Sequence, residues 1–403
     1  MISLDEARVL LLDGVAPVAV EQVALADAAG RVLAAEIVAS FDQPGLPTSA
    51  MDGYAVVAAD AAAGSRLQLV GDAFAGTPFS GRIEPGTTVR IATGGVVPRG
   101  ADRVIMQEIV DRDGDSIVLV GPIHDAHFVR LAGGDFRKGE RLIAAGDVLT
   151  PGALGLAAAA NHAVVPVRIR PRVAIFPSGD ELREAGEALA PGEVVNSATH
   201  AVAALIALWG GDAHRQPTLP DDPAAIRVAI GAAQADILLF IGGASVGDRD
   251  YLRGVVAELG GKLRFDKIAV QPGKPCWHAR FTDGRLVLGL PGNPASAFVC
   301  AHLLLEPLLA ALLGRARSLP LLPAILAVPM PHGGPREVWW RATVAIDAAA
   351  RLVATPDPRR DSSLQRPLAE ANALIRRAPG TEPSPAGASV EVLLIAGAAL
   401  RAA

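Results

Sequence analysis

The segment Asp236-Ile-Leu-Leu-Phe-Ile241 is an apolar run after a single acid, and Gly242-Gly-Ala-Ser-Val-Gly-Asp-Arg-Asp250 follows it directly. A short apolar run that ends at glycines is typical of a buried parallel strand, and Tyr251–Leu259 has a helical pattern. The same alternation of strands and helices extends from Pro171 to Gly314 and predicts a doubly wound, mostly parallel α/β sheet. The other predicted elements of this region are strands at Val173–Phe176 and Leu286–Leu290 and helices at Ser197–Trp209, at Pro223–Gln234 and from Pro294 onward.

The chain before this sheet contains two kinds of pattern. Ser3-Leu-Asp-Glu6 has the spacing of a capping box and predicts a helix from about residue 4, and the pattern at Val23–Val38 predicts a second helix. From Asp52 to Val120, short β-branched runs alternate with Gly, Asp and Pro turns, which favours a small strand-rich domain. Thr150-Pro-Gly then begins an Ala-rich helix to about Ala160. The strand-rich segment is therefore predicted to be an insertion into a helical element.

After the sheet, the alternation in Val338–Ile346 and the apolar run Val390–Ile395 predict a small C-terminal β domain. The chain is thus predicted to be a multidomain α/β protein. Its predicted parts are a helical linker domain (1–40 plus 137–168), an inserted β-rich domain (41–136), an α/β domain (169–317) and a C-terminal β domain (318–403).

Composition excludes several classes of protein. The chain has 403 residues, is 51% hydrophobic and carries a net charge of −5 with acids and bases interspersed. These values argue against a disordered chain and against a nucleic-acid or membrane surface. Two cysteines are too few for a disulfide framework, and no basic and apolar leader begins the sequence, so a cytoplasmic location is expected. The apolar stretch Ala297–Gly314 is interrupted by polar residues and is predicted to be a buried helix.

Three loops that follow strands of the α/β region carry polar residues, at the position where open α/β sheets bind ligands. In the loop after Ile241, three glycines and Ser245 favour a phosphate or a pterin over a simple turn. In Gly289-Leu-Pro-Gly-Asn-Pro294, Asn293 could equally be only a helix N-cap. In Pro177-Ser-Gly-Asp-Glu-Leu182, the two acids could be solvated, cap a helix or hold a hard cation.

Further charged residues surround these loops. Asp222 is expected to cap the helix that begins at Pro223, which leaves Asp221 for another role. Pro-Gly-Lys-Pro rigidly presents Lys274, and Lys267 and Lys274 flank a constrained loop in an acidic protein, which favours an oxyanion as their partner. Carboxylates for a divalent metal, lysines for an anion and glycine loops for phosphate together indicate phosphoryl or nucleotidyl chemistry.

Taken in order, the motifs resemble those of the molybdopterin molybdenumtransferase family of the bacterial MoeA type, over the whole chain to Asp361-Ser-Ser-Leu and Ala371-Asn-Ala-Leu-Ile375. The motifs that carry the resemblance are Ser49-Ala-Met-Asp-Gly-Tyr54, Thr93-Gly-Gly-Val-Val-Pro98, Arg130-Leu-Ala-Gly-Gly-Asp135, Ser178-Gly-Asp-Glu-Leu182, Gly242-Gly-Ala-Ser-Val-Gly247, Pro272-Gly-Lys-Pro275 and Leu290-Pro-Gly-Asn-Pro294.

The resemblance implies a homodimer in which adenylylated molybdopterin and molybdate react with Mg²⁺ to give the loaded cofactor and AMP. The adenylylated pterin would be handed over by an adenylyltransferase. The implied catalytic residues are Asp52, Thr93, Asp135, Glu181, Asp221, Asp250, Lys267 and Lys274, of which Glu181, Asp221 and Asp250 would bind metal. The implied pterin-phosphate cradle is Ser178, Gly242, Gly243, Ser245, Gly247, Pro291, Gly292, Asn293 and Pro294.

The chain departs from the family pattern at Gln271, where members usually carry Lys. Loss of one cation from an oxyanion site would weaken molybdate capture by about 1–3 kcal/mol. Two other functions therefore stay open: a non-catalytic module that binds the cofactor or anchors a partner, and a Mg²⁺-dependent nucleotide hydrolase that shares only the fold.

Overall fold

The fold was analysed in a computed structural model of the full chain. The structure describes residues 1–243, 251–316, 319–395, 397 and 401–402.

The N-terminal helix α1 spans Leu4–Leu12 and is capped as the sequence predicts. The Ser3 hydroxyl accepts a hydrogen bond from the Glu6 amide, and the Glu6 carboxylate accepts one from the Ser3 amide. Leu4, Ala7 and Leu11 are buried in the same core as the strands of the α/β domain. The helix thus packs with the α/β domain, although the sequence analysis groups residues 1–40 with the linker.

The predicted helix over Val23–Val38 is wrong. This segment forms strand β1 (Val20–Ala24), a short 3₁₀ helix (Leu25–Asp27) and strand β2 (Ile37–Val38). β1 lies antiparallel to a strand more than a hundred residues further along the chain, which pairs Val20 with Arg168. The partner strand supplies the hydrogen bonds of this backbone, and such a long-range pairing overrides the weak helical pattern.

The inserted domain is rich in strands, as predicted. Six of its strands form one sheet in the order β7-β4-β6-β5-β9-β8, and β3 pairs with β10 beside it. The bounds of the eight strands are β3 (Thr48–Ser49), β4 (Gly53–Val56), β5 (Arg66–Ala73), β6 (Thr87–Ile91), β7 (Arg103–Met106), β8 (Val110–Asp113), β9 (Ser116–Leu119) and β10 (Val129–Arg130).

The chain leaves the inserted domain beside the point at which it entered. β11 (Arg141–Ile143) pairs antiparallel with β2, so that Arg141 lies opposite Val38. Helix α2 (Pro151–Ala159) follows, with the Thr150 hydroxyl accepting a hydrogen bond from the Ala153 amide. β12 (Val164–Arg168) then completes the pair with β1. The predicted insertion and the predicted helix after Thr150 are both present in the structure.

The α/β domain contains a mixed six-stranded sheet in the order β16-β13-β17-β21-β20-β18. The pairs from β16 to β21 are parallel, and β20 and β18 add an antiparallel edge, so the predicted parallel arrangement holds for four strands. The six strands are β13 (Arg172–Pro177), β16 (Asp212–Arg215), β17 (Ile237–Ile241), β18 (Lys262–Phe265), β20 (Trp277–Arg280) and β21 (Leu286–Leu290). Outside this sheet lie β14 (Leu182–Arg183), β15 (Val194–Val195) and β19 (Val270–Gln271). The helices are α3 (Ala198–Leu208), α4 (Pro223–Ala232), α5 (Tyr251–Glu258), α6 (Pro294–Cys300) and α7 (Glu306–Leu312).

A short π-helical turn, Ala301–Leu305, joins α6 to α7 into one long helix. Among the described residues, this helix, Pro294–Leu312, is the one long and apolar enough to cross a membrane, with a mean hydropathy of 1.8. It is 94% buried inside the protein, as predicted for a core helix. The Leu303 carbonyl, within the π-helical turn, accepts a hydrogen bond from Arg8 of α1.

The C-terminal domain is a small closed β barrel. Its strands are β22 (Leu321–Leu326), β23 (Glu337–Ile346), β24 (Leu352–Pro356), β25 (Ala373–Arg377) and β26 (Ser389–Leu394), with α8 (Arg366–Glu370) and β27 (Arg401–Ala402) beside them. The order β23-β24-β22-β26-β25 closes on itself because β23 also pairs with β25. β19 of the α/β domain pairs in parallel with β23, which places Val270 opposite Glu337. This pair joins the two domains at the backbone.

The sheet of the α/β domain has no space for a side chain at Gly289, because a Cβ there would overlap the buried indole nitrogen of Trp277. We expect Gly289→Ala to lower the free energy of unfolding by about 1–3 kcal/mol, as overpacking does. Gly231→Ala is the matched control, because Gly231 lies in α4 with open space around it and alanine there should stabilise by about 0.5–1 kcal/mol. Urea unfolding followed by circular dichroism measures both, and an unchanged transition in Gly289→Ala would contradict the packing described here.

Candidate functional site

Three loops that end parallel strands meet at the carboxyl edge of the sheet. The Ser178 amide donates a hydrogen bond to the Ile241 carbonyl (3.0 Å), and the Gly242 amide donates to the Leu290 carbonyl (3.2 Å). Gly242 has φ +101° and any Cβ on it would overlap the Ser178 carbonyl, so only glycine fits there. A Cβ on Gly292 would lie 3.3 Å from the Gly242 Cα. The loops therefore touch backbone to backbone.

These loops line a cavity of about 600 Å³, which we call the glycine-loop cavity. It contains most of the predicted cradle. The lining residues that the sequence predicted are Ser178, Glu181, Gly242, Gly243, Pro291, Gly292, Asn293 and Pro294. Two other members of the predicted cradle, Ser245 and Gly247, lie outside the described residues.

One wall of the glycine-loop cavity consists of residues 194–198, which the sequence analysis missed. Buried Asn196 fixes this wall, since its amide donates to Glu184 (2.9 Å) and its oxygen accepts from the Thr199 hydroxyl (2.9 Å). Arg215 binds the same Glu184 carboxylate and, as the largest cause, lowers its pKa below the usual value. An Asn-Ser pair directly before an apolar helix was the available signal for this wall.

The C-terminal domain covers another part of this cavity through Ser363 and Gln365. Gln365 donates a hydrogen bond to the Ser197 hydroxyl (2.6 Å). Asn293 is the N-cap residue of α6, one of the two roles considered for it, but its side chain makes no capping bond and donates instead to the Ser362 hydroxyl (3.0 Å). The hydrogen bond to Ser362 across the domain boundary holds the side chain of Asn293 away from the amides of its own helix.

Directly beside the glycine-loop cavity lies a second cavity of about 260 Å³, which we call the arginine cavity. Pro275 lines both cavities. Among the described residues, five cationic side chains and no carboxylate line the arginine cavity. The cationic residues are Lys274, Arg336, Arg341, Arg359 and Arg360.

The five cations of the arginine cavity have different local partners. Arg341 is buried and donates to three backbone carbonyls of residues 359–364, so it shapes this loop. Arg359 is paired with Asp357 and Glu370. Arg360 lies 4.1 Å from the ring centroid of Trp340 as a cation–π pair. These contacts leave Lys274 without an ion-pair partner among the described residues, which makes its ammonium group available to an anion.

Gln271 also lines the arginine cavity, where Arg336 approaches it. The Arg336 guanidinium donates to the Gln271 side-chain oxygen (3.4 Å) and to the Val270 carbonyl (3.3 Å). The β19–β23 pair places Arg336 there, because Glu337, the next residue, lies opposite Val270. The sequence analysis missed all four arginines; the segment Arg336-Glu-Val-Trp-Trp-Arg341 holds two of them, but nothing in it indicates a cavity shared with Arg359 and Arg360.

Of the residues predicted in the inserted domain, Asp135 lines a third cavity, of about 650 Å³, and Thr93 directly precedes Gly94, which also lines it. Asp52 is held next to it, because the amide and the hydroxyl of Thr93 both donate to one Asp52 carboxylate oxygen (2.6 and 2.8 Å). These two hydrogen bonds lower the pKa of Asp52. This inserted-domain cavity shares no lining residue with the other two cavities.

A magnesium site is only partly assembled in the described residues. They contain no group of three or more His, Cys, Asp or Glu side chains that could hold a metal ion. Glu181 lines the glycine-loop cavity, whereas Asp221 lies in the lining of none of the three cavities. Asp222 caps α4 through the amides of residues 224 and 225, as predicted. Asp250, the third predicted metal ligand, lies outside the described residues.

Of the two predicted oxyanion lysines, the structure brings only Lys274 into a cavity. Lys267 lines none of the three cavities, and its backbone carbonyl accepts a hydrogen bond from the Ile2 amide. The structure thus assembles two neighbouring cavities that differ in character. One presents backbone amides and hydroxyls, and the other presents cationic side chains.

The chain matches three family descriptions in succession. These are the MoeA N-terminal region (domain I and II) over residues 2–161, the probable molybdopterin binding domain over residues 174–311 and the MoeA C-terminal region (domain IV) over residues 323–395.

Individual relatives agree with these matches. The chain is 36% identical to the molybdopterin molybdenumtransferase of Haemophilus influenzae over 78% of each chain. It is 33% identical to that of Synechococcus elongatus over 97% of this chain and 99% of the relative. A crystal structure of a molybdopterin biosynthesis MoeA protein from Pyrococcus horikoshii superposes with a TM-score of 0.83 at 28% identity, covering 99% of this chain and all of the other.

The Asp52–Thr93 contact predicts how a substitution of Thr93 changes the pKa of Asp52. Thr93→Val removes the hydroxyl donor but keeps the amide donor, so we expect the pKa of Asp52 to rise part of the way to its ordinary value. The contact stabilises the fold above the unfolded pKa of Asp52 and is lost as the pH falls through the folded value. NMR titration of the carboxyl carbon measures the shift. Thr87→Val, whose hydroxyl binds Glu84 instead, is the control, and an unmoved Asp52 titration in Thr93→Val would contradict the contact.

Proposed function

Because the chain belongs to the MoeA family of molybdopterin molybdenumtransferases, transferases of molybdenum cofactor biosynthesis, we propose that it inserts molybdate into adenylylated molybdopterin and releases AMP. The observation that carries this proposal is that the glycine-loop cavity and the arginine cavity are neighbours that share the lining residue Pro275. A neutral cradle beside a cationic cavity suits a phosphorylated organic substrate that reacts with a small oxyanion.

The glycine-loop cavity is proposed to hold the pterin and its phosphate. Its backbone amides at Gly292 and Asn293 would donate to phosphate oxygens, whereas the Gly242 amide already donates to the Leu290 carbonyl and the Ala295 amide to the Ser362 carbonyl. The hydroxyls of Ser178 and Ser363 add donors whose direction can adjust. Because this cavity has few fixed charges, it would bind the substrate by shape and hydrogen bonds.

The arginine cavity is proposed to hold molybdate, which is a dianion. Lys274 lines it without an ion-pair partner in the described part of the chain, and Arg336 faces it next to Gln271. Cations held in place before the anion arrives stabilise charge without further rearrangement. Arg336 also places a positive charge beside the position where the family usually has a lysine and this chain has Gln271, which supports molybdate binding in spite of that difference.

Magnesium is proposed to bind through Glu181 and the phosphate oxygens of the substrate. Mg²⁺ often uses only one or two carboxylates together with substrate phosphates, so a single described carboxylate in the glycine-loop cavity fits this mode. When bound there, the ion would polarise the phosphate bond that breaks. Two further residues, Asp221 and Asp250, are proposed as metal ligands from the family resemblance. Lys267 is proposed from the same resemblance to bind oxyanion or phosphate.

The residues of the chain would act by binding and orientation. The glycine loops would hold the adenylylated pterin, and Lys274 would hold molybdate next to it, which places the reactants together without a protein nucleophile. Departure of AMP requires stabilisation of its phosphate charge, to which the amide groups of the cradle would contribute. An adenylyltransferase would be the supplier of the substrate.

Asp52, Thr93 and Asp135 are proposed to complete the site from the second subunit of a homodimer. Within one chain none of the three lines the glycine-loop cavity or the arginine cavity, and Asp135 lines the separate inserted-domain cavity. A role of these residues at the reacting groups therefore needs the inserted domain of a partner.

The first test is a release assay. Purified protein receives adenylylated molybdopterin and Mg²⁺ with or without molybdate, and AMP is measured by chromatography. We expect AMP release that depends on molybdate, because the oxyanion is a reactant. Binding without release would support the cofactor-binding module, and release that ignores molybdate would support the nucleotide hydrolase. Either of these results overturns the proposal.

The second test uses two inactive variants. Asp52→Ala and Lys274→Ala should each abolish turnover while the dimer persists, since each would remove one half of the shared site. Mixing the two variants under exchange conditions should restore roughly a quarter of the wild-type rate, because half of the dimers are then mixed and each carries one intact site of two.

Lys262→Ala is the matched control for the loss of a lysine, because Lys262 is exposed on β18 and lines none of the three cavities. It should retain the full rate. A mixture that stays inactive, with subunit exchange verified by mass spectrometry, would refute the placement of Asp52 and Lys274 in one site formed by two subunits.

A further inference from the structure

The two cysteines of the chain lie together in the core. Cys276 and Cys300 are both fully buried as free thiols. Burial, and in second place the contact with the Cys300 thiol, raise the pKa of the Cys276 thiol well above its usual value. The Cys276 thiol therefore stays protonated and acts as a polarisable packing group rather than as a nucleophile.

The sulfur pair lies directly under the loop that carries Lys274. The Cys300 thiol donates to the Pro272 carbonyl (3.7 Å), and the Cys276 amide donates to the Gly273 carbonyl (3.1 Å). Gly273 has φ +126°, and a Cβ on it would overlap the Cys300 sulfur and lie 3.9 Å from the Cys276 sulfur. The loop thus packs against the two sulfur atoms at Gly273, the residue immediately before Lys274.

The same sulfur atoms connect the two walls of the arginine cavity. One wall is residues 271–275, and the other includes Ser296 and Val299 of α6. Cys276 follows the first wall, and Cys300 is the last residue of α6. The separation of the two walls at this point is therefore set by the packing of sulfur on sulfur.

We propose that Cys276 and Cys300 are positioning residues that hold Lys274 at the position in the arginine cavity that oxyanion binding requires. This proposal rests on the proposed function of the arginine cavity. A thiol suits the place for two reasons. Its volume fills the space under Gly273, which closely packed interiors require, and its hydrogen reaches the Pro272 carbonyl. Alanine would leave a void there, and valine would press a second branch against the loop.

The test separates position from stability. Molybdate binding to the wild type, Cys300→Ala, Cys300→Ser and Val287→Ala is measured by calorimetry without pterin, and the KM for molybdate and kcat are measured in the AMP-release assay. Val287→Ala is the control, because Val287 is fully buried on the opposite side of the sheet, in a core cluster that contains neither cysteine. Thermal unfolding is recorded for each variant.

We expect Cys300→Ala to raise the Kd and the KM for molybdate about tenfold with a smaller change in kcat, because the lysine is displaced while the reacting groups remain. Cys300→Ser, which retains a hydrogen-bond donor, should lie between the alanine variant and the wild type. Val287→Ala should lose thermal stability with its molybdate Kd unchanged. The double variant Cys276→Ala/Cys300→Ala should bind molybdate with the same Kd as Cys300→Ala, because the two sulfur atoms act as one contact.

An unchanged molybdate Kd in Cys300→Ala, or an equal loss in Val287→Ala, overturns the positioning role. If Cys300→Ala does not fold, Cys276→Ala and Cys300→Ser provide the same comparison. A wild type that binds no molybdate contradicts the proposed function itself. A wild type that binds molybdate without releasing AMP contradicts only the proposed reaction, and the calorimetric comparison of the variants still decides the role of the cysteines.

Discussion

The close approach of three backbones at the carboxyl edge of the α/β sheet is the constraint on which the site depends. Ser178, Gly242 and Gly292 come together with no side chain between them. Parallel strands deliver these loops to one edge, and glycine allows them to touch. The wall at Asn196 and the C-terminal residues Ser363 and Gln365 complete the lining of the glycine-loop cavity around this contact.

The C-terminal barrel gives the α/β domain a charged neighbour. The parallel pair of β19 and β23 carries Arg336 to Gln271, and the loop around Ser362 binds Asn293 at the boundary of the two cavities. Hydrogen bonds across the domain junction thus separate a compartment of amide donors from a compartment of cations. In the proposed function, this separation would let one ligand bind by shape and another by charge within a short distance.

The sequence predicted the parts of the fold that local patterns determine. The capping box at Ser3, the strand Leu286–Leu290 and the helix after Thr150 each contain their own signal, and all three are present. Val23–Val38 was mispredicted, because its partner strand β12 is remote in the sequence and the hydrogen bonds to it decide the conformation. For the site, the glycine loops could be found from their motifs. The arginines could not, because their common cavity arises only when the barrel packs on the α/β domain.

The paired strands β2 and β11 have a consequence for the history of the chain. Because Val38 lies opposite Arg141, the two ends of the intervening hundred or so residues are immediate neighbours. A segment with adjoining ends can be acquired or lost as one genetic unit while the rest of the polypeptide keeps its path. An ancestor without the inserted domain could therefore have gained it with no change to the rest of its core.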